Sequence, residues 1–241
     1  MSDDWRSAPV VHGVDGCPGG WAVVTVAAEG DPKPTFNFTA DLDPLIGRAA
    51  IAIDIPIGLP DRILGPGRGA EQTVRPLLGK RAASVFSIPS RAAVFAPSWD
   101  AACAMALAAS EPARKPTIQG FNIFAKIRMV DALLTPANQE SVFECHAEVA
   151  FWRLNGERPM ATGKAVRGVP ARDALKSRID VLAAHGVPPE FFAGRAAAPL
   201  VDRVDAAAIA LIARRCRAGT ATPFPDPPEV DGRGLRAAIW A

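Results

Sequence analysis

The stretch that decides the fold of this chain is Val10-Val11-His12-Gly13-Val14-Asp15-Gly16-Cys17-Pro18-Gly19-Gly20, which is followed by a second apolar run over 21–28. Residues 10–15 and 21–28 are rich in the β-branched residues that strands favour. The residues between the two runs are mostly glycine and proline, which favour turns. The pattern predicts two neighbouring strands joined by a turn, with Asp15 at the end of the first strand.

Further apolar runs predict that these strands belong to an α/β domain with a mixed sheet flanked by helices. Residues 35–39 alternate with period two, as a strand does, and 51–55 form the near-continuous apolar run that is typical of a buried parallel strand. Residues 141–146 resume strand character. The predicted helices are 41–49, 148–154, 171–184 and 202–217.

Residues 60–136 differ from the rest of the chain because they are rich in proline, glycine and basic side chains. Short helical patches occur at 71–79, 99–110 and 122–134. We interpret this segment as an insertion or cap, without a sheet of its own, within a single domain that spans 1–241. The tail from Gly219 is also rich in proline and glycine, and it predicts a surface strap.

The composition is that of a globular protein, with 49% hydrophobic and 22% charged residues in a chain of 241. No apolar stretch reaches the ~18 residues that a membrane helix needs. The start, Met1-Ser2-Asp3-Asp4-Trp5-Arg6, lacks the basic and apolar regions of a signal peptide. The four cysteines include no Cys-x-x-Cys pair, which argues against a disulfide framework or a zinc knuckle. We therefore expect a cytoplasmic protein without membrane contact.

Five acidic side chains stand where the predicted elements end or begin. Three of them close predicted strands, and two open the last predicted helix. Because neighbouring strands of a sheet end at a common edge, these carboxylates can converge although they are far apart in sequence. Mg²⁺ and Mn²⁺ prefer such all-oxygen ligand sets. The pattern therefore predicts a Mg²⁺ or Mn²⁺ site with the metal ligands Asp15, Asp54, Glu144, Asp202 and Asp205.

Four of these acids also have a structural interpretation. Asp15 fits an Asp-Gly hairpin turn, and Asp54 can accept backbone N–H groups from the bend at 56–58. Asp202 and Asp205 are three residues apart and share a helix face, which suits a metal site and equally suits helix capping. On spacing alone, the capping interpretation of Asp202 and Asp205 is favoured.

Two further polar residues near Glu144 are secondary candidates for the site. If 142–146 is a strand, His146 shares a face with Glu144 and could act as a proton shuttle or a metal ligand. A single histidine beside a strand end is more often structural, however. Glu148 lies in the first turn of the following helix, where the helix dipole alone favours an acid.

The formal net charge of +2 hides an uneven distribution of charge along the chain. Residues 1–59 carry 3 basic and 8 acidic side chains, whereas residues 60–91 carry 6 basic and 2 acidic ones. An acidic core beside a basic segment suits metal-assisted work on a polyanion, although a solvated basic face gives the same count. The candidates for contacts with substrate phosphates are Arg75, Lys80, Arg81 and Arg91.

With these residues in view, the chain resembles domain of unknown function 429, a bacterial and archaeal family described as predicted nucleases with an RNase H-like fold. The motifs that carry the resemblance occur in a consistent order, and they are 13–21, 54–59, Arg75 with 78–86, 89–91, 126–127, 144–148 and 202–206. Ala147 stands where the family usually has proline, and Arg203 stands where it tends to have an acid. The resemblance implies an RNase H-like mixed sheet more strongly than it implies an activity, because one fold hosts many functions.

We therefore expect a Mg²⁺- or Mn²⁺-dependent phosphodiesterase of the RNase H-like class that acts on nucleic acid. Its expected catalytic residues are Asp15, Asp54, Glu144 and Asp205, with Asp15 bridging two ions. The alternative is a catalytically idle protein on the same fold that binds a nucleotide or another phosphate ligand, because the loop 15–20 also suits a phosphate-binding hairpin. A homodimer is compatible with the apolar insertion.

Overall fold

The computed structural model describes residues 4–166, 169–170 and 172–241. Its strands are β1 (Val10–Cys17), β2 (Gly20–Ala27), β3 (Thr35–Thr39), β4 (Ala50–Ile53), β5 (Ile63–Leu64), β6 (Ser110–Glu111), β7 (Val142–Glu144), β8 (Ala165–Val166), β9 (Val169–Pro170), β10 (Pro223–Val230) and β11 (Arg236–Trp240). Its α-helices are α1 (Asp4–Ser7), α2 (Gly69–Val74), α3 (Arg91–Val94), α4 (Trp99–Ala108), α5 (Ile118–Asn122), α6 (Phe124–Leu133), α7 (Ala147–Leu154), α8 (Arg172–Ala184) and α9 (Leu200–Arg217). The 3₁₀ helices are Asp43–Leu45, Arg75–Ser84, Asn138–Ser141 and Pro189–Phe192.

The centre of the molecule is a mixed five-stranded sheet with the order β3-β2-β1-β4-β7. β1, β2 and β3 form an antiparallel meander, whereas β4 and β7 run parallel to β1. The carboxyl ends of β1, β4 and β7 therefore lie at the same edge of the sheet. This arrangement confirms the expected α/β class with a mixed sheet flanked by helices.

The two faces of the sheet pack in different apolar layers, because successive side chains of a strand point to opposite faces. Val11 and Ala52 lie in the layer that contains α9. Val14 and Ile53 lie in the opposite layer, which contains the apolar face of α6. Each layer excludes water from one face of the sheet, so both faces contribute to the core.

Helix α9 lies unusually close to β1 because β1 has a glycine at the point of contact. A Cβ atom on Gly13 would fall 2.1 Å from the backbone oxygen of Ala206 and 2.1 Å from the backbone nitrogen of Ala210. The short side chains on the alanine-rich face of α9 also allow the helix to lie close to β1. The N-terminal turns of α9 are thereby held against the sheet.

Several predicted elements are confirmed. The three strands at the start of the chain, the strand ending before Asp54, and the helices α7, α8 and α9 all lie where the pattern predicted them. Ala171, where the predicted helix over 171–184 begins, lies outside the described residues, as do residues 1–3.

The predicted helix over 41–49 is wrong, because only the short 3₁₀ helix Asp43–Leu45 forms there. Pro44 lacks the N–H group that would continue a helical hydrogen-bond ladder, and Gly47 has a φ of 78°, which is outside the helical region. The chain consequently turns into β4 instead of forming an α-helix.

Two predictions about irregular segments are also wrong. The insertion does contain a small sheet, since β5 and β6 pair in parallel. The tail forms the β10–β11 hairpin, and Ile239 and Ala241 are buried. The rings of Trp240 and Phe143 meet edge to face at 5.3 Å, so the tail belongs to the core and is not a surface strap.

The cysteines are buried as free thiols. Among the helices that the structure describes, none combines the length and hydropathy needed to cross a membrane.

Candidate functional site

A cleft of about 340 Å³ opens at the sheet edge where β1, β4 and β7 end. Its size lies within the ~300–1,000 Å³ range that is usual for small-molecule sites. Asp15 and Asp54 line one part of the cleft, together with Lys126 and Lys164. The lining also includes carbon-rich side chains such as Val85 and Phe86, together with the charged side chains of Arg68, Glu71 and Glu144.

Asp15 and Asp54 project from the same face of the sheet. Asp15 is two residues from Gly13 along β1 and so points, like Gly13, towards α9. Asp54 follows β4 and is two residues from Ala52, which lies in the α9 layer. The backbone N–H of Asp54 donates to the oxygen of Val14 at 2.9 Å, which fixes the two strand ends beside each other.

The structure supports neither the hairpin-turn interpretation of Asp15 nor the interpretation of Asp54 as an acceptor for the bend at 56–58. Asp15 is paired with Ala22 inside the β1–β2 ladder, so it is not a residue of the hairpin turn. The Asp54 carboxylate accepts the N–H of Ala147 at the start of α7, at 3.3 Å. In the bend at 56–58, the N–H of Ile57 donates to the Glu144 carboxylate at 2.7 Å and not to Asp54.

Helix α9 brings Asp202 and Asp205 to the same region. The helix begins at Leu200 with Pro199 at its N-cap, and Asp202 already lies within the first turn. The capping interpretation of Asp202 and Asp205 is therefore wrong. Asp205 is buried, whereas Asp202 is only partly buried.

Lys164 inserts its ammonium group among these acids. Its Nζ donates to Oδ2 of Asp205 in a largely buried ion pair. Burial alone would lower the pKa of Lys164, but Asp205, Asp54 and Asp15 together outweigh burial and raise that pKa. Lys164 is thus the counter-ion of the acidic group that Asp15, Asp54, Asp202 and Asp205 form, which we call the acid cluster.

Two carboxylate oxygens near Lys164 are buried without a hydrogen-bond partner among residues 4–166, 169–170 and 172–241. They are Oδ1 of Asp205 and Oε2 of Glu148. The other oxygen of Glu148 accepts from the fully buried Arg178 at 2.6 Å. A buried polar atom without a partner is costly, so it indicates a missing partner such as water or a cation. Glu148, predicted as a secondary candidate, therefore borders the acid cluster.

Burial and the neighbouring acids raise the pKa values of Asp15, Asp202 and Asp205. Loss of solvent raises the pKa of Asp15 well above its ordinary value, and repulsion from Asp54 and Asp205 raises it further. Burial, and then Asp205, raise the pKa of Asp202 to about 6. At neutral pH the cluster therefore holds charge that the fold disfavours, which a bound cation would relieve.

The elevated pKa of Asp202 predicts a pH-dependent loss of stability. The folded state holds the Asp202 proton more tightly than the unfolded chain, so stability falls as pH rises from about 4 to about 6. Asp202→Asn should match the wild type below pH ~4 and exceed its melting temperature by roughly 2–4 °C at pH 7, since solvent screening reduces the effect. Thermal unfolding across this range tests it. Asp173→Asn, an exposed acid in the first turn of α8, controls for the helix dipole.

Glu144 lies on the opposite side of the sheet from the acid cluster. It pairs in register with Ile53, whose side chain packs in the α6 layer. The fully buried guanidinium of Arg68 binds the Glu144 carboxylate through Nη1 at 3.1 Å and also binds Glu71 through Nε at 2.6 Å. Burial raises the pKa of Glu144 to about 7, although Arg68 opposes this shift. Glu144 lines the same cleft as Asp15 and Asp54, but its carboxylate is already bound by Arg68 and by the N–H of Ile57.

Lys126 lies at the rim of the cleft and was not among the predicted site residues. Its Nζ donates to the oxygen of Gly20 at 2.6 Å and stands 4.1 Å from the ring centroid of Trp21. A Cβ on Gly16 would fall 2.6 Å from Cδ of Lys126, so this side chain can cross β1 only because residue 16 is glycine. Burial lowers the pKa of Lys126, while Cys17 and Asp15 oppose that shift.

The four predicted phosphate-binding cations are not gathered at the cleft. Arg75 donates to the oxygen of Val85 at 3.1 Å and to Ser87 at 2.8 Å, and Arg91 forms ion pairs with Asp131 and Asp231 at 2.9 Å each. Both guanidinium groups thus have partners within the protein. Lys80 is exposed and Arg81 is partly buried, and both lie in the 3₁₀ segment Arg75–Ser84.

His146, the other secondary candidate, caps helix α7. Its Nδ1 accepts the N–H of Glu148 at 3.2 Å, and its Nε2 lies 3.3 Å from the oxygen of Ser84. These contacts suit a neutral ring that carries its proton on Nε2. The side chain also lines the cleft, so its capping role does not remove it from the site.

The charged residues that sequence reasoning missed include three cations that pair with predicted acids or border them. Lys126 carried a signal, because it is a lone lysine in a mainly apolar helical patch. Arg68 and Lys164 carried none, since their partners are 76 and 41 residues away in sequence. Across residues 4–166, 169–170 and 172–241, no three Asp, Glu, His or Cys side chains are already arranged to hold a metal ion.

A family model described as a protein of unknown function, DUF429, matches residues 13–230. The chain belongs to the DUF429 family. The match covers β1 from Gly13 onward, the insertion and α9, so all the acids of the DUF429 cleft lie within it. The comparison with curated proteins and the comparison with solved structures each found no match.

Proposed function

We propose that this DUF429 protein is a metal-dependent phosphodiesterase of the RNase H-like class. The observation that carries the proposal is the buried Oδ1 of Asp205, which has no hydrogen-bond partner in the part of the chain that the structure describes and lies within a cluster of carboxylates that borders an open cleft. An antiparallel meander followed by two parallel strands, with α9 across the sheet, is the arrangement we propose to be RNase H-like.

The donor chemistry of these residues suits a hard divalent cation, although the described carboxylates are not already arranged around one. Asp15, Asp54 and Asp205 offer only oxygen donors, and Asp202 can join them from the half-exposed start of α9. When bound, Mg²⁺ or Mn²⁺ would lower the pKa of an attacking water and stabilise charge on the phosphodiester. Burial and then repulsion from Asp54 and Asp205 raise the pKa of Asp15, and a bound cation would relieve that repulsion, which supports this fit.

The neighbouring side chains support the same chemistry. Lys126 places a cation at the rim, beside Asp15 and Asp202, where it can hold a substrate phosphate. The N–H of Ala147 orients the Asp54 carboxylate, and the β1–β2 ladder fixes the backbone that carries Asp15, both without help from a ligand. Orientation of this kind contributes to rate because the reacting groups need no rearrangement.

Lys164 must give way if a cation binds the acid cluster, because its ammonium already contacts Asp205. Lys164→Met should therefore lower the melting temperature of the metal-free protein, since it leaves the acids without a counter-ion. The same variant should show a larger Mn²⁺-induced rise in melting temperature than the wild type. Lys176→Met, which removes the exposed pair with Asp180, is the matched control and should change neither quantity. Equal Mn²⁺ responses in Lys164→Met and the wild type would contradict this competition.

Hydrolysis of bis(4-nitrophenyl) phosphate with and without Mn²⁺ tests the proposed activity directly, because this diester needs no sequence recognition. We expect turnover that depends on the metal and is lost on chelation. A parallel set of single-stranded and duplex DNA and RNA then assigns the nucleic acid. Absence of turnover on every diester, with Mn²⁺ bound, would overturn the proposal.

A catalytically idle protein that binds a phosphate ligand is the second candidate. It is favoured by one observation: Lys164 already neutralises part of the acid cluster without any metal. Such a protein would gain thermal stability with a phosphate ligand and release no product. The hydrolysis assay therefore separates the two candidates.

A further inference from the structure

The part of the cleft beyond the acid cluster has an apolar wall. Val85, Phe86, Ile88 and Ile123 line it, and the exposed Asn122 adds one amide. His146 and the mutually paired Arg68, Glu71 and Glu144 also line the cleft. This wall faces the same cavity as Asp15 and Lys126, so a ligand at the acids also meets it. A site with a charged part and a carbon-lined part suits a ligand with the same division.

Phe86 is the aromatic side chain of this wall, and it is not part of the hydrophobic core. It is only partly buried. Within the part of the chain that the structure describes, it pairs with no other ring and belongs to none of the apolar clusters. An aromatic side chain placed in this way offers its surface to a ligand in the cleft, and aromatic surfaces stack on bases.

The cations argue against a long track for a nucleic-acid backbone at this site. Two of the four basic residues predicted to hold the backbone, Arg75 and Arg91, bind Val85, Ser87, Asp131 and Asp231 instead. Recognition would then depend on the cleft itself, whose 340 Å³ suits one small ligand unit.

We propose that the cleft recognises a single nucleotide unit, with its base against Phe86 and its phosphate between the acid cluster and Lys126. This inference rests on the proposed function and specifies its substrate class. The substrate is a mononucleotide diester or an unpaired nucleotide of a single strand, because a base within a duplex is stacked on both faces and cannot reach Phe86.

Calorimetric titration of adenosine 5′-monophosphate and of ribose 5-phosphate, in saturating Mn²⁺, tests the inference. The two ligands share the phosphate and sugar and differ in the base. We expect the wild type to bind adenosine 5′-monophosphate at least about fivefold more tightly, the low end of base–aromatic stacking. Phe86→Leu should remove that preference and leave the affinity for ribose 5-phosphate unchanged.

Two further variants keep the test independent of folding. Phe86→Trp retains an aromatic surface and should keep the preference. Phe95→Leu, at an exposed phenylalanine outside the cleft lining, should bind both ligands as the wild type does.

Equal affinities for the two ligands in the wild type, no measurable binding of adenosine 5′-monophosphate, or an intact preference in Phe86→Leu would overturn the inference. Tighter binding of a 20-base-pair duplex than of the mononucleotide would also overturn it. The Mn²⁺-induced rise in melting temperature, measured on the same samples, reports on the metal site separately. If that rise persists without a base preference, the substrate class is wrong and the proposed metal site stands, while the hydrolysis assay decides the proposed function.

Discussion

Replacing Asp15 with asparagine is expected to reduce metal-dependent hydrolysis by on the order of 100-fold or more, while the protein stays folded. Even changes to groups that only support metal ligands cost about 10–100-fold, and Asp15 is proposed to bind the metal itself. The fold should tolerate the change, because loss of solvent and repulsion from Asp54 disfavour the charged form of Asp15. The measurement is the rate of bis(4-nitrophenyl) phosphate hydrolysis, together with the melting temperature in chelator.

Asp173→Asn controls for the loss of one negative charge, because Asp173 is exposed on α8. It should keep wild-type activity and stability. An Asp15→Asn enzyme that retains full activity would remove Asp15 from the mechanism. An Asp15→Asn protein that fails to fold would instead assign Asp15 to the structure.

Replacing Arg68 with methionine is expected to lower the free energy of unfolding by about 3–5 kcal/mol, the usual cost of breaking a buried ion pair. Arg68 is the shared partner of Glu71 and Glu144, and its guanidinium also donates to the backbone oxygens of Ile57 and Gly58. Its removal leaves two buried carboxylates without their cation. Urea unfolding at neutral pH measures the loss.

Arg62→Met is the matched control, because Arg62 pairs with Glu111 at the surface, where both side chains are mostly exposed. Such a pair contributes about 0–1 kcal/mol. If the charge of the two glutamates causes the loss in Arg68→Met, adding Glu71→Gln and Glu144→Gln should restore part of the stability. No recovery in that triple variant would show that the backbone hydrogen bonds of Arg68 dominate.

The parts of the fold that the sequence predicted depend on local patterns. The runs before Asp15 and Asp54 are long enough to indicate strands, and the alanine-rich stretch of α9 is long enough to indicate a helix. The convergence of Asp15 and Asp54 was also predictable, because strand ends meet at a sheet edge. The role of Gly13 was not predicted, although its missing side chain is what allows α9 to bring Asp205 to Asp15.

The parts that the sequence did not predict depend on contacts between distant residues. The face to which Glu144 points follows from its register with Ile53, and register across a sheet is not a local property. The burial of Ile239 and Trp240 at the end of the chain depends on Phe143 in the same way. Arg68 and Lys164 look like ordinary surface cations in the sequence, and only the folded chain places them beside carboxylates.

The most direct test of the central claim is a Mn²⁺ titration followed by thermal unfolding, with the wild type and Asp15→Asn side by side. A ligand that binds only the folded state adds about 2.7 kcal/mol of stability at a hundredfold excess over its dissociation constant. We predict a rise in the melting temperature of the wild type that is absent in Asp15→Asn. No rise in the wild type at millimolar Mn²⁺, or an equal rise in both proteins, would contradict a metal site at the acid cluster.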